Sequence, residues 1–87
     1  MASYRLVFKE SVTKDLRQIP KKDVERILKR IDALTENPRP PGCEKLSGQE
    51  RYRVRQGAYR ILYLIADQEV CITVIKVGSR RDVYDRP

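Results

Sequence analysis

The run RYRVRQGAYRILYLIADQEVCITVIKV, residues 51–77, decides the fold. From Tyr52 onward the residues repeat with a period of two, the spacing of a strand whose successive side chains point to opposite faces. Strands are expected at about 52–56, 59–66 and 69–77, joined at Gln56-Gly57 and Asp67-Gln68. Gly57 suits a hairpin position that needs positive φ. In the first of these strands Tyr52 and Val54 face one way, under the rest of the fold, and Arg51, Arg53 and Arg55 face the other. The arginines therefore form a row on the open face. YRILYLIA and VCITVIKV are apolar on both faces, as central strands are, so a sheet covered on one side would expose apolar surface to a partner.

Upstream, YRLVFK (4–9) reads as a short strand. SVTKDLRQI (11–19) carries one helical stripe, Val12, Leu16 and Ile19, and Pro20 breaks it. Val24, Ile27, Leu28, Ile31 and Leu34 step by three and four residues, as an amphipathic helix requires. Asn37-Pro38 ends that helix, because the residue before proline avoids the α region. The segment NPRPPGCEKLSGQE reads as a loop. The order β-α-α-β-β-β predicts an α+β domain over residues 1–87, with a helical hairpin packed on one face of a mostly antiparallel four-stranded sheet.

At 87 residues the chain holds one modest core. With 40% hydrophobic and 36% charged residues it has the composition of a soluble globular domain. No apolar run approaches the roughly 18 residues of a membrane span. MASYRLVFKE lacks the apolar stretch of a signal peptide, so a cytoplasmic location is the default expectation. Two cysteines make no disulfide framework, and Cys71 reads as a small core residue. With no histidine, a zinc site would need an unusual ligand set, and no metal or cofactor is expected. The formal charge of +7 favours a polyanionic partner, either nucleic acid or an acidic protein segment.

Lysine and glutamate would suffice to keep an edge strand soluble. The row is instead all arginine, the side chain suited to bidentate phosphate contact. Lys76, Arg80 and Arg81 lie at the end of the last strand, where they could converge with it. Tyr84, in RRDVY, is either a packing residue or a phenol whose pKa neighbouring cations lower; Tyr4, Tyr52, Tyr59 and Tyr63 read as packing residues. The absence of histidine removes the usual imidazole acid and base. Asp67 and Glu69 flank a turn and Asp82 and Asp85 sit among arginines, so no carboxylate cluster resembles a two-metal site. Nor is there a glycine-rich phosphate loop or a nucleophile elbow. Phosphoryl chemistry here would run without metal, on Arg, Lys and Tyr.

KLSGQERYRVRQGAYRILY followed by VIKVGSRRDVYDR, after a strand and an amphipathic helical hairpin, resembles the RelE branch of the RelE/ParE toxin superfamily of toxin–antitoxin systems, over essentially the whole chain. The resemblance implies a ribosome-dependent endoribonuclease that cuts mRNA in the decoding site. The 2′-hydroxyl attacks the adjacent phosphate, leaving a cyclic phosphate and a 5′-hydroxyl. By position, Arg53 and Arg55 match the family's basic pair and would hold phosphates, and Arg60 would stabilise transition-state charge. Arg80 would stabilise the leaving group, and Tyr84 would act as base or stack on a nucleobase. Arg51, Lys76 and Arg81 would be supporting phosphate contacts. The best-studied members carry lysine where Arg53 and Arg55 stand. Arginine stays charged in proteins, which leaves Tyr84 or Lys76 as the titratable candidates. Some relatives also carry histidine where Ser79 stands. The implied partners are a cognate antitoxin, the small ribosomal subunit and mRNA, with no cofactor and no membrane. Codon preference, and whether the toxin–antitoxin complex binds its own operator DNA, stay open. Two rivals stand beside this reading: a gyrase poison of the ParE branch, and a basic binding module that blocks translation without cutting.

Overall fold

The computed structural model describes residues 3–46 and 50–79. Its elements are β1 (Arg5–Phe8), α1 (Glu10–Arg17), α2 (Lys21–Leu34), β2 (Glu44–Leu46), β3 (Arg51–Gln56), β4 (Tyr59–Ala66) and β5 (Cys71–Ser79). The strands form one five-stranded sheet in the order β1-β5-β4-β3-β2. All neighbours are antiparallel except β1, which lies parallel to β5; the helices carry the chain from β1 to β2 at the opposite edge. That matches the expected α+β class, with one strand more than the four expected. The extra strand, β2, is three residues long and lies inside the proline-rich segment. It has no periodicity of its own and exists because it pairs with β3, Glu44 opposite Arg53 and Leu46 opposite Arg51.

The β3–β4 and β4–β5 hairpins differ in their turns. Gln56 is the register partner of Tyr59, so Gly57 and Ala58 form a two-residue loop, and Gly57 takes φ +61° at the first central position. A side chain there would strain the backbone. The β4–β5 connection is longer than expected. Asp67 to Val70 form the turn, closed by the Val70 N–H donating to the Asp67 carbonyl at 3.1 Å, so β5 starts at Cys71 and not at 69. Val70 itself sits at φ 50°, an uncommon conformation for a β-branched residue.

The helices cover one face of the sheet. Val12, Ile27, Ile31 and Leu34 pack on Tyr52, Val54, Ile61, Tyr63, Ile65, Ile72, Val74 and Val77 to form the main core. Full burial of each such aliphatic side chain contributes about 1.5–3 kcal/mol. Leu28 is the exception in its stripe at 40% exposed, because it stands one residue beyond Ile27, at the margin of the buried helical face. Tyr63 is wholly buried. Its ring stacks on Tyr52 at 5.9 Å, and its hydroxyl donates to the Pro38 carbonyl at 2.7 Å, tying the proline-rich segment to the sheet. Burial pushes the Tyr63 phenol far above its ordinary range, and the hydrogen bond with Cys43 adds to the shift.

Candidate nucleic-acid interface

Alternation along β3 separates core from cation. Tyr52 and Val54 are buried under the helices, while Arg51 and Arg53 are half-buried and Arg55 is exposed on the other face. The expected arginine row is therefore present, and antiparallel register extends it. Arg51 stands opposite Leu64, Arg53 opposite Leu62 and Arg55 opposite Arg60. Directly opposite residues share a face, so the open face changes along the strands from apolar at Leu64 to cationic at Arg55 and Arg60. Arg60 in turn stands opposite Gly78 on β5. The cationic end of the sheet is thus the end at which the chain leaves β5.

Two expectations need correction. The apolar half of the open face is smaller than the sequence suggested, because Leu46 of β2 packs with Leu62 and Ile75 in a second cluster in which Leu46 and Leu62 are buried. Lys76 does not join the row. Its ammonium donates to Asp15 of α1 at 3.1 Å. By register Lys76 stands opposite Leu62 and so starts from the open face; the shift between Leu62–Lys76 and Tyr63–Val74 leaves Ile75 as the extra residue of a bulge. Such a bulge re-aims the side chains beside it. Arg80, Arg81 and Tyr84 lie outside the described residues.

Arg53 has a partner that sequence reasoning missed. Its Nη2 donates to Glu44 Oε1 at 3.0 Å, with the arginine side chain only 17% exposed and the glutamate half in solvent. The pairing depends on the short strand β2. Among the described residues, the buried Nε atoms of Arg51 and Arg53 find no hydrogen-bond partner. At the other end of β3, Arg39 is engaged in structure. It donates twice to Asp67, at 2.9 and 3.3 Å, and to the Tyr52 hydroxyl at 3.2 Å, with its guanidinium 5.1 Å from the Tyr52 ring centre. Tyr4 also donates to Asp67, at 2.8 Å, and this hydrogen bond raises the Tyr4 phenol while Arg39 holds the Asp67 carboxyl below its ordinary value. Tyr59 is raised too, first by burial and then by its bond to Asp23. Among the described residues no group of three His, Cys, Asp or Glu side chains is placed to hold a metal.

A cleft of about 410 Å³ adjoins the cationic end, between α1 and the last residues of β5, with Asp15, Ile19, Tyr59 and Gly78 in its walls.

Comparison with known proteins gives the chain its context. Residues 6–84 match the family model described as the ParE toxin of the type II toxin–antitoxin system parDE. The mRNA interferase toxin RelE of Escherichia coli K12 is 31% identical over 94% of this chain and 90% of its own length. Among solved structures, the archaeal RelE–RelB complex from Pyrococcus horikoshii superposes with a TM-score of 0.80 at 31% identity, covering 90% of this chain and 96% of that one. The isolated E. coli RelE toxin superposes with a TM-score of 0.77 at 28% identity, covering 98% of this chain and 88% of that one.

Proposed function

The chain belongs to the RelE/ParE family of type II toxins, and from that premise we propose that it is a ribosome-dependent endoribonuclease that cuts mRNA in the decoding site. One observation carries the reading: two arginines, Arg55 and Arg60, stand directly opposite each other on the open face, with Arg53 in line on the same strand. Like charges opposite one another are unfavourable alone and favourable around a shared anion. An RNA phosphate is such an anion.

The reaction needs no metal. The 2′-oxygen forms a bond to the adjacent phosphorus as the bond to the 5′-oxygen breaks. One proton leaves the 2′-hydroxyl and one reaches the 5′-oxygen, giving a cyclic phosphate and a 5′-hydroxyl. Arg53 and Arg55 hold flanking phosphates. Arg60 stabilises the charge that builds on the five-coordinate phosphorus, the stage at which preorganised cations contribute most. Arg80 serves the leaving oxygen. Arginine stays charged in proteins and donates hydrogen bonds only, so none of the four is the base. Tyr4, Tyr59 and Tyr63 are all raised away from neutrality, and Lys76 is engaged by Asp15. By its match to the family's C-terminal tyrosine, Tyr84 is the base or a stacking platform in this proposal.

The RelE relatives named above include one solved with RelB, and a cognate antitoxin is the proposed partner of this chain as well. It would meet the mixed open face with apolar and acidic groups, in the cytoplasm where ribosomes are found. The description of the matching family favours the rival reading, a gyrase poison. Programmed ribosomes and a supercoiling assay separate the two. Message cut in the decoding-site codon only when ribosomes are present supports the nuclease. Intact message with stalled translation identifies a non-cutting binder, and inhibited supercoiling identifies the gyrase poison.

A further inference from the structure

β1 stops short of its neighbour. Its register with β5 runs from Arg5 opposite Cys71 to Phe8 opposite Val74, whereas β5 continues to Ser79. Beyond Val74 the strand keeps β4 on one side, but among the described residues no strand lies on the other. The Lys9 N–H makes the last contact of that ladder, donating to the Val74 carbonyl at 2.9 Å, and the chain then enters α1. α1 takes over the vacated edge. Asp15 Oδ2 accepts the Val77 N–H at 3.1 Å, and Oδ1 accepts from Lys76 Nζ at 3.1 Å. At 13% exposed, this carboxylate is withdrawn from water while its neighbour Lys76 is not.

The place of the contact matters. Just before it, the bulge at Ile75 interrupts the β4–β5 ladder, and just after it come Gly78 opposite Arg60 and Ser79 opposite Tyr59. A bulged strand with one edge that no described strand covers can slide or twist. Such a shift would move the backbone facing Arg60 and the direction in which the chain runs on to Arg80.

We infer that Asp15 is a positioning residue for the cationic cluster: its carboxylate stands in for the missing strand and clamps the end of β5 at Val77. The inference rests on the nuclease reading proposed above. In it the ion pair with Lys76 is secondary, and the bond to the backbone N–H sets the geometry. A displacement of about 1 Å at reacting groups can cost on the order of 10²-fold in rate, so a clamp one residue from Arg60's partner acts on turnover more than on affinity.

The test compares three variants on mRNA-programmed ribosomes. Asp15→Asn keeps an oxygen for Val77 and should cut within about threefold of the wild-type rate, whereas Asp15→Leu should be slower by about tenfold or more with KM for programmed ribosomes little changed. Lys76→Gln should resemble Asp15→Asn. Wild-type turnover in Asp15→Leu, or a loss in Lys76→Gln as large as in Asp15→Leu, would overturn the inference. Amide exchange on the wild-type protein gives a second readout that needs no variant to fold. The Val77 amide points away from β4, so Asp15 should make it exchange as slowly as the interior β4 amides, and rapid exchange there would overturn the clamp. A wild-type protein that leaves message uncut overturns the nuclease reading, and with it the positioning role, whatever the Val77 amide does.

Discussion

Arg55 and Arg60 are register partners across the β3–β4 hairpin, so two guanidinium side chains start from directly opposite backbone positions on the open face of the sheet. Like charges directly opposite one another repel by a few tenths of a kcal/mol. Arg55→Gln should therefore leave stability unchanged or raise it by about 0.5 kcal/mol. It should also weaken binding of a short RNA and reduce the slope of log affinity against log salt by about one. Urea unfolding and RNA titration at several salt concentrations check both halves. A large loss of stability would mean that Arg55 is a structural residue.

Under the proposed function, Glu44 would compete with phosphate for Arg53. The pair lies at 3.0 Å with the glutamate half in water, so its contribution to stability should be no more than about 1 kcal/mol. Glu44→Gln should cost little in thermal stability and increase RNA affinity severalfold, because the Arg53 guanidinium then faces solvent without a carboxylate. Unchanged affinity would show that Arg53 does not reach the RNA.

Tyr63 predicts an alkaline limit to stability. Burial raises its phenol, so the folded state keeps the proton to higher pH than the unfolded chain does. The stabilisation is fully present below the ordinary tyrosine value of about 10 and is lost as pH rises beyond it. Tyr63→Phe should lower stability near neutral pH by about 1 kcal/mol through loss of the bond to Pro38. The same variant should flatten the decline above pH ~10, as denaturant midpoints across the alkaline range would record.

Val70 holds a left-handed conformation at φ 50° in the β4–β5 turn. A β-branched side chain is disfavoured there, and asparagine tolerates the region far better. Val70→Asn should raise the unfolding temperature, by an amount equivalent to about 1 kcal/mol. A lower unfolding temperature would point to packing by the Val70 side chain that outweighs the backbone term.

Much of this fold was legible in the sequence because its signals are local. The two-residue period from Tyr52, the helical stripes through Val12 and through Ile27, Ile31 and Leu34, and the glycine at 57 each report their own element. The parts that escaped depend on neighbours. β2 exists only through pairing with β3. The bulge at Ile75 is a mismatch between two strands, invisible in either alone. Lys76 starts opposite Leu62, yet its ammonium is held by Asp15 of α1, a contact that spacing along the chain does not reveal. The arginine row itself follows from alternation, whereas its extension to Arg60 required the hairpin register. The Glu44 partner of Arg53 could be anticipated only by knowing that the proline-rich segment returns to the sheet.

The most direct test of the account is single-turnover cleavage of the decoding-site codon by the Arg60→Gln protein, with toxin in excess over programmed ribosomes. If Arg60 stabilises the charge on the reacting phosphate, the rate should fall by on the order of 10²-fold while the concentration for half-saturation stays near that of the wild type. A wild-type rate, or a loss confined to binding, would contradict the role given to Arg60 and the cationic cluster built around it.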